Sequence, residues 1–149
     1  MEESRPSFLL VDGSNILHAW PELSRLRLKN PAAARDELVK RLEEFQDWSD
    51  YRVVAVFDGR GEVTQQDREG RGIQVFYTSD SKTADDVIEQ LAVKYASKFE
   101  ITVATNDRAE QDMVVSTGGH AISAEQLGDW LARAKAARGE WLERHRKRD

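Results

Sequence analysis

Five short apolar runs along the chain predict buried β-strands. They cover residues 8–11, 52–57, 73–77, 100–104 and 120–122. The first two runs stop at Asp-Gly pairs, which suit a turn at the end of a strand. Helical patterns alternate with these strands, and such alternation is typical of βαβ units. We therefore predict an α/β fold with a mostly parallel sheet.

Four helices are predicted from apolar residues that recur at helical spacing. Asn30-Pro31 suits a helix start, because asparagine can cap a helix and proline fits its first position. Thr83 can cap another helix, and Ser123 with Gln126 forms a capping box for the last one. The helices are expected over residues 31–48, 83–98, 108–116 and from 123 onward.

Two segments carry weaker patterns. Residues 18–30 are mixed and contain Pro21, so we predict a connector with at most one helical turn. Residues 59–72 are polar and glycine-rich, which indicates a mobile loop. We predict one domain over residues 7–137, followed by a basic helical tail over 138–149 in which Gly139 is a candidate break.

Composition narrows the class of protein. The 149 residues suffice for one buried core, and they are 40% hydrophobic and 33% charged. Cysteine is absent, which excludes disulfides and thiolate zinc sites and predicts a reducing, cytoplasmic location. The net charge of −5 argues against a protein that coats nucleic acid by charge alone, but not against an enzyme that holds it through metal ions. We expect no membrane partner and a monomer or weak dimer.

Acidic residues follow the predicted strands. Asp12 closes the first strand, Asp58 closes the second, and Asp107 follows the fourth, while Asp85 opens the helix after the third. Parallel strands bring their carboxyl ends to one edge of the sheet, where ligands of open α/β folds bind. Four carboxylates distant in sequence are therefore expected at one rim.

Carboxylates gathered in this way repel one another unless a cation neutralises them. Oxygen ligands suit Mg²⁺ or Mn²⁺, which can activate water against a phosphodiester. At about 100° per residue, Asp85 falls on the flank of the buried stripe of its helix and Asp86 nearly opposite it. We therefore expect Asp85 at the metal, with Glu89 one turn away as a supporting acid, and Asp86 in solvent.

Structural explanations exist for each acid taken singly. Asp-Gly is a common turn pair, and aspartates favour the positive end of a helix. Asp107 with Glu110 has the spacing of an N-cap and its reciprocal partner, and Asn15 can cap a short helix. The joint placement at one sheet edge favours a single site over four separate coincidences.

The motifs resemble a known family. VDGSNI (11–16), VFD (56–58), TADDVIE (83–89) and TNDRAEQ (105–111) are similar, in this order, to the YacP-like nucleases, a bacterial branch of the NYN domains in the PIN-like superfamily. The likeness covers nearly all of residues 7–137. The Thr-Ala-Asp segment with its glutamate is the most specific part.

The resemblance implies a three-layer α/β/α fold and Mg²⁺- or Mn²⁺-dependent cleavage of single-stranded RNA by an endoribonuclease. It also implies a link to mRNA decay, with the ribosome as a candidate partner. Relatives often carry a bulkier residue where Ser14 stands and an acid where Ala109 stands, so the fourth ligand stays open between Asp107 and its acidic neighbours. Carried over by position, the implied catalytic and metal-binding acids are Asp12, Asp58, Asp85 and Asp107, supported by Asn15, Glu89 and Asn106.

Cationic and aromatic residues in neighbouring loops are candidates for RNA binding. Phosphate contacts position a strand without reading its sequence, and an aromatic ring can stack on a base. Trp20 is the best placed tryptophan for stacking, whereas Trp48 and Trp130 have the spacing of core residues. The cationic candidates are Arg60, Arg68, Arg71, Lys82 and Arg108.

Other functions fit the sequence less well. A phosphoacceptor receiver domain needs an acidic pair after its first strand and a lysine after its fifth, and neither is present. A haloacid-type phosphatase needs a second aspartate where Ser14 stands. The alternative that stays open is a catalytically silent PIN-like module that binds RNA or ribosomes.

Overall fold

The five predicted apolar runs form one sheet in the computed structural model, which describes residues 5–59, 65–66, 72–78 and 81–146. The strands are β1 (Ser7–Asp12), β2 (Tyr51–Phe57), β3 (Gln65–Gln66), β4 (Gln74–Tyr77), β5 (Glu100–Ala104) and β6 (His120–Ile122). Their order in the sheet is β3-β4-β2-β1-β5-β6. The short strand β3, which the apolar runs did not predict, lies antiparallel to β4, and all other pairings are parallel.

Helices follow the predicted order, with one correction. The segment 18–30 is helical for most of its length, because Asp12 caps one helix and Pro21 takes the first position of the next. Pro21 thus begins a helix where the sequence pattern suggested a connector. The helices are α1 (Gly13–Ala19), α2 (Pro21–Lys29), α3 (Pro31–Asp47), α4 (Ala84–Tyr95), α5 (Arg108–Ser116) and α6 (Ala124–Arg146).

The helices cover both faces of the sheet. Successive residues of a strand point to opposite faces, so Leu9 and Val11 join one core while Leu10 joins the other. The first core is completed by α1, α2, α3 and α6, and the second by α4 and α5. Both sheet faces are therefore buried, which explains the continuous apolar runs and confirms the α/β fold of three layers.

Helix α6 is continuous through Gly139, so the predicted break there is wrong. The basic residues between 138 and 146 therefore extend the last helix of the fold. Trp130 packs against the first core as predicted, but Trp48 lies at the end of α3 and is 37% exposed. Among the helices that the structure describes, none combines the length and the apolar character needed to cross a bilayer.

Gly13 fixes the approach of α1 to the sheet. A β-carbon at this position would lie 2.8 Å or less from three carbons of the Phe57 ring. Phe57 is fully buried and stacks on Tyr77, so the ring has no free space into which it can move. The glycine after Asp12 is therefore required by close packing between α1 and the end of β2.

We predict that Gly13→Ala lowers the free energy of unfolding by about 1–3 kcal/mol, the usual cost of overpacking a core. Gly139→Ala is the matched control, since nothing lies within 4 Å of a β-carbon there and alanine favours helix. Urea denaturation of both variants checks the prediction. Equal stability of the Gly13 variant and the wild-type protein would show that the helix can shift at no cost.

Candidate metal centre

Asp12 stands at the carboxyl end of the central strand, beside both neighbouring strands. Its side chain is 4% exposed, and its Oδ1 accepts a hydrogen bond of 3.3 Å from the Asn15 backbone N–H. The chain leaves β1 toward β2 on one side, while β5 pairs with β1 on the other. Such a reversal of strand order opens a crevice at the ends of the strands. Asp12 lies at this crevice.

Two further carboxylates converge on Asp12. Asp85 extends from the first turn of α4 and is exposed, whereas Glu110 lies on the first turn of α5 and is 4% exposed. One carboxylate oxygen from each of Asp12, Asp85 and Glu110 lies within 4.8 Å of the other two. We call this group the carboxylate triad. Its two buried members face one acid that is open to solvent.

Thr105 orients one oxygen of Glu110. The Thr105 hydroxyl accepts from the Asp107 backbone N–H at 3.1 Å and donates to Glu110 Oε1 at 3.0 Å. Because a hydroxyl has a single proton, this acceptor bond leaves its proton directed at the glutamate. The other oxygen, Oε2, is buried and has no hydrogen-bond partner in the described part of the chain. A buried carboxylate oxygen without a partner is costly, so Oε2 is a candidate ligand atom for a cation.

Burial and crowding favour the protonated forms of the two buried acids. Burial raises the pKa of Asp12 to about 6, against a lowering contribution from the neighbouring Glu110 carboxyl group. Burial likewise raises the pKa of Glu110 to about 10, and the adjacent Asp12 carboxylate adds to that rise. Negative charge is therefore unstable here unless positive charge accompanies it.

The residues present fit a hard divalent cation. All three triad members offer carboxylate oxygens, the ligands preferred by Mg²⁺ and Mn²⁺, and one of these oxygens lacks any other partner. A divalent charge would also offset the repulsion that raises both pKa values. Asp12, Asp85 and Glu110 are the residues that would hold the ion.

Asp58 follows β2 at the sheet edge where it was predicted, and its role at a metal ion stays a prediction. It is exposed, and its Oδ1 accepts a hydrogen bond of 2.8 Å from the backbone N–H of Ala84, the first residue of α4. Its own backbone N–H donates to the Ser14 hydroxyl at 2.9 Å. Asp58 is not a member of the triad. It instead holds the N-terminus of the helix that carries Asp85.

The side chains of Asp107, Asn15 and Asn106 accept backbone hydrogen bonds that order the segments next to Glu110. Asp107 caps α5, with its Oδ1 accepting from the N–H groups of Ala109 and Glu110, and it too lies outside the triad. Asn15 Oδ1 accepts from the Asn106 N–H at 2.8 Å. Asn106 Oδ1 accepts from the Ala124 N–H, also at 2.8 Å. These bonds tie the starts of α1 and α6 to the loop after β5.

The two neighbouring aspartates of α4 separate as helix geometry predicted. Asp85 joins the triad, while Asp86 completes a capping box with Thr83. Glu89 is exposed and is not among the three converging acids. Its supporting role stays a prediction.

The RNA-binding candidates are scattered. Arg60, Arg68 and Arg71 lie outside the described residues. Lys82 is exposed and donates to Gln90, and Arg108 is exposed beside Asp112, 3.9 Å away. Trp20 packs against the first core and its indole N–H donates to the Ala124 carbonyl at 2.9 Å. Its ring is half-buried and also lines a groove beside α6, so its role in stacking on RNA stays a prediction.

Glu110 is the site residue that sequence reasoning did not single out. It was assigned the spacing of a capping partner for Asp107, and it stood only among the acidic neighbours between which the fourth ligand was left open. The available signal was its position relative to Met113 and Val114, three and four residues further along α5, which pack into the second core. A glutamate on the buried face of a short helix, just after an acid-bearing strand end, requires an explanation beyond capping.

Comparisons with known proteins identify the family and support the fold. A profile of the YacP-like NYN domain matches residues 9–149. The protein "Uncharacterized protein YacP" of Bacillus subtilis (strain 168) is 35% identical over 121 residues, which are 80% of this chain and 71% of that protein.

Two crystal structures of Rae1 (YacP) from Bacillus subtilis share the fold. One, of a mutant form, gives a TM-score of 0.78 at 30% identity and covers 92% of this chain and 81% of the other. The second gives a TM-score of 0.75 at 31% identity and covers 95% and 82%. The profile match spans almost the whole sequence, and the relative's identity extends over most of it. The chain therefore belongs to the YacP-like NYN domain family.

Proposed function

We propose that this protein is a divalent-metal-dependent endoribonuclease that hydrolyses single-stranded RNA. Membership of the YacP-like NYN family suggests a nuclease. The observation that carries the proposal is the carboxylate triad, above all the buried and unpartnered Oε2 of Glu110. A module that only binds RNA would gain nothing from two buried acids whose negative charge the fold disfavours.

The three triad residues have different roles in the proposed reaction. Asp12 and Glu110 form the buried floor, held by the Asn15 N–H and the Thr105 hydroxyl. Asp85 is exposed and marks the side from which a substrate phosphate approaches. When bound, Mg²⁺ or Mn²⁺ supplies positive charge for the phosphodiester oxygens and activates water for attack. Fixed carboxylates of this kind position the reacting groups before the reaction begins.

Location and partners extend the proposal. A chain without cysteine suits a reducing compartment, and we propose the cytoplasm. The family resemblance makes an mRNA on the ribosome a candidate substrate. Purified ribosomes added to the assay below would reveal any requirement for them.

Asp85→Asn should lower Mn²⁺-stimulated cleavage of a single-stranded RNA by about a hundredfold or more, because even groups that only support a metal ligand are commonly worth ten to a hundredfold. Asp86→Asn is the matched control, since Asp86 belongs to the capping box and lies outside the triad. Gel assays with Mn²⁺, Mg²⁺ and EDTA measure both variants. Equal loss in the two variants would contradict the assignment of Asp85, and no cleavage by the wild-type protein in any metal would favour the silent module.

Glu110→Gln should abolish the stabilisation that Mn²⁺ gives to the folded protein. A ligand present at a hundred times its Kd stabilises the native state by about 2.7 kcal/mol, and the amide cannot replace a carboxylate ligand. Asp112→Asn is the control on the same helix, with a side chain that is 75% exposed. Thermal denaturation with and without Mn²⁺ tests this prediction. If Mn²⁺ raises the melting temperature of Glu110→Gln as much as that of the wild-type protein, the prediction is refuted.

Stability in EDTA should fall as the pH rises from about 4 to about 6. The folded pKa of Asp12 is raised to about 6 and that of Glu110 to about 10, so the folded state binds more protons than the unfolded chain over this range. Each such proton contributes a slope of about 1.4 kcal/mol per pH unit, and the sign is negative for a raised carboxyl pKa.

The part of this negative slope that is due to Glu110 should persist toward alkaline pH, and it should disappear in Glu110→Gln. Saturating Mn²⁺ should reverse the slope, because the cation binds the deprotonated acids. Urea denaturation series at several pH values measure both slopes. A stability profile that rises with pH in EDTA would be inconsistent with protonated acids at this site.

A further inference from the structure

The end of the molecule opposite the carboxylate triad carries exposed aromatic rings. Trp48 at the end of α3 and Trp141 near the end of α6 contact each other edge to face, with ring centroids 5.7 Å apart. Trp141 also stacks on His145 at 3.8 Å. The two tryptophans remain 37% and 41% exposed. Large rings held in contact yet open to water indicate a binding surface.

Basic residues surround these rings. Residues 133–149 hold seven Arg and Lys side chains and three acids, in a chain whose net charge is −5. At about 100° per residue, Arg138 and His145 fall within about 60° of Trp141 around α6, and Lys135 falls about 120° away on the same side. Glu140 and Glu143 fall on the other side of the helix, about 100° and about 160° from Trp141. Trp141 therefore shares its face of the helix with Arg138 and His145.

Two cations of α6 line the same groove as Trp48. Lys135 and Arg138 form no ion pair with any residue in the described part of the chain. The groove, of about 560 Å³, lies between α2, α3 and α6 and extends from Trp20 to Trp48. Its lining includes four cations and three acids, and Arg41 among them is paired with Glu22 and Glu37. The groove therefore has a small excess of positive charge, to which Lys135 and Arg138 contribute on the α6 side.

We propose that this surface, formed by Trp48, Trp141, His145, Lys135 and Arg138, binds single-stranded RNA at a distance from the cleavage site. Stacking rings next to unpaired cations match the bases and phosphates of a single strand. A protein partner would match the apolar rings, but not the cations that share their face. The choice of RNA as ligand rests on the proposed function.

Geometry sets the length of RNA that can reach both sites. The N–H of Ala124, at the start of α6, is bonded to Asn106 in the loop beside the triad, and Trp141 lies seventeen residues further along the helix. This separation is about 25 Å at 1.5 Å per residue. A stacked strand rising about 3.4 Å per nucleotide needs about seven nucleotides to cover it. Short RNAs can occupy one site only.

The test measures binding of a labelled oligouridylate of 20 nucleotides by fluorescence anisotropy in EDTA, in an Asp85→Asn background that removes cleavage. Trp141→Ala should weaken its binding about tenfold, the loss expected for one stacked base. Trp141→Phe should restore most of the affinity. Arg138→Ala should reduce the salt dependence of the 20-mer by about 0.7 in log–log slope. Leu28→Ala, which removes an exposed apolar side chain elsewhere, is the control.

The outcomes separate this inference from the proposed nuclease. Unchanged affinity of the 20-mer in both Trp141→Ala and Arg138→Ala overturns the RNA surface and leaves the cleavage assay unaffected. A concentration-dependent mass that disappears in Trp141→Ala, without a change in RNA affinity, assigns the rings to a second copy of the chain and also overturns it. Loss of 20-mer binding in Trp141→Ala, with recovery in Trp141→Phe, supports the surface even if the wild-type protein cuts no RNA.

Discussion

The structure depends on holding negative charge where a protein interior disfavours it. Asp12 and Glu110 are each 4% exposed and lie next to each other, with the solvent-exposed Asp85 at their side. Desolvation and mutual repulsion both oppose ionisation, so the fold retains these acids at a cost to its own stability. Buried acids that destabilise the fold in this way are concentrated at functional sites, where a bound cation can neutralise them.

The backbone around the site offsets part of that cost. Each triad member belongs to the beginning of a helix: Asp12 caps α1, and Asp85 and Glu110 lie in the first turns of α4 and α5. Helix N-termini favour negative charge. Their contribution does not suffice, since the pKa values of the two buried acids remain raised. The three helix starts together therefore stabilise the ionised carboxylates, but a bound cation is still needed to neutralise them.

Sequence patterns predicted what depends on local chemistry. The five strands follow from apolar runs that both cores bury, and the separation of Asp85 from Asp86 follows from helix geometry. The helices within 18–30 were missed because Pro21 can either break a helix or begin one, and the choice depends on the capped helix before it. Local patterns do not contain that information.

The difference between Asp12 and Asp58 shows the limit most clearly. Both follow a buried strand and precede a glycine, and the sequence gives no ground for separating them. Asp12 ends the strand between β2 and β5, while one oxygen of the exposed Asp58 carboxylate accepts from the N–H at the start of α4. Strand order, which is a property of the whole fold, decides which aspartate lies beside Glu110.

The placement of charge along α6 connects the site to the rest of the molecule. Its first residue is bonded to Asn106 beside the triad, and its last turns carry the basic and aromatic face. An acidic site that requires cations repels a polyanion until those cations are bound. Basic charge close to the triad would compete with the metal ion for the carboxylates. Separation along a long helix lets the chain attract RNA at one end and keep its acids available for a cation at the other.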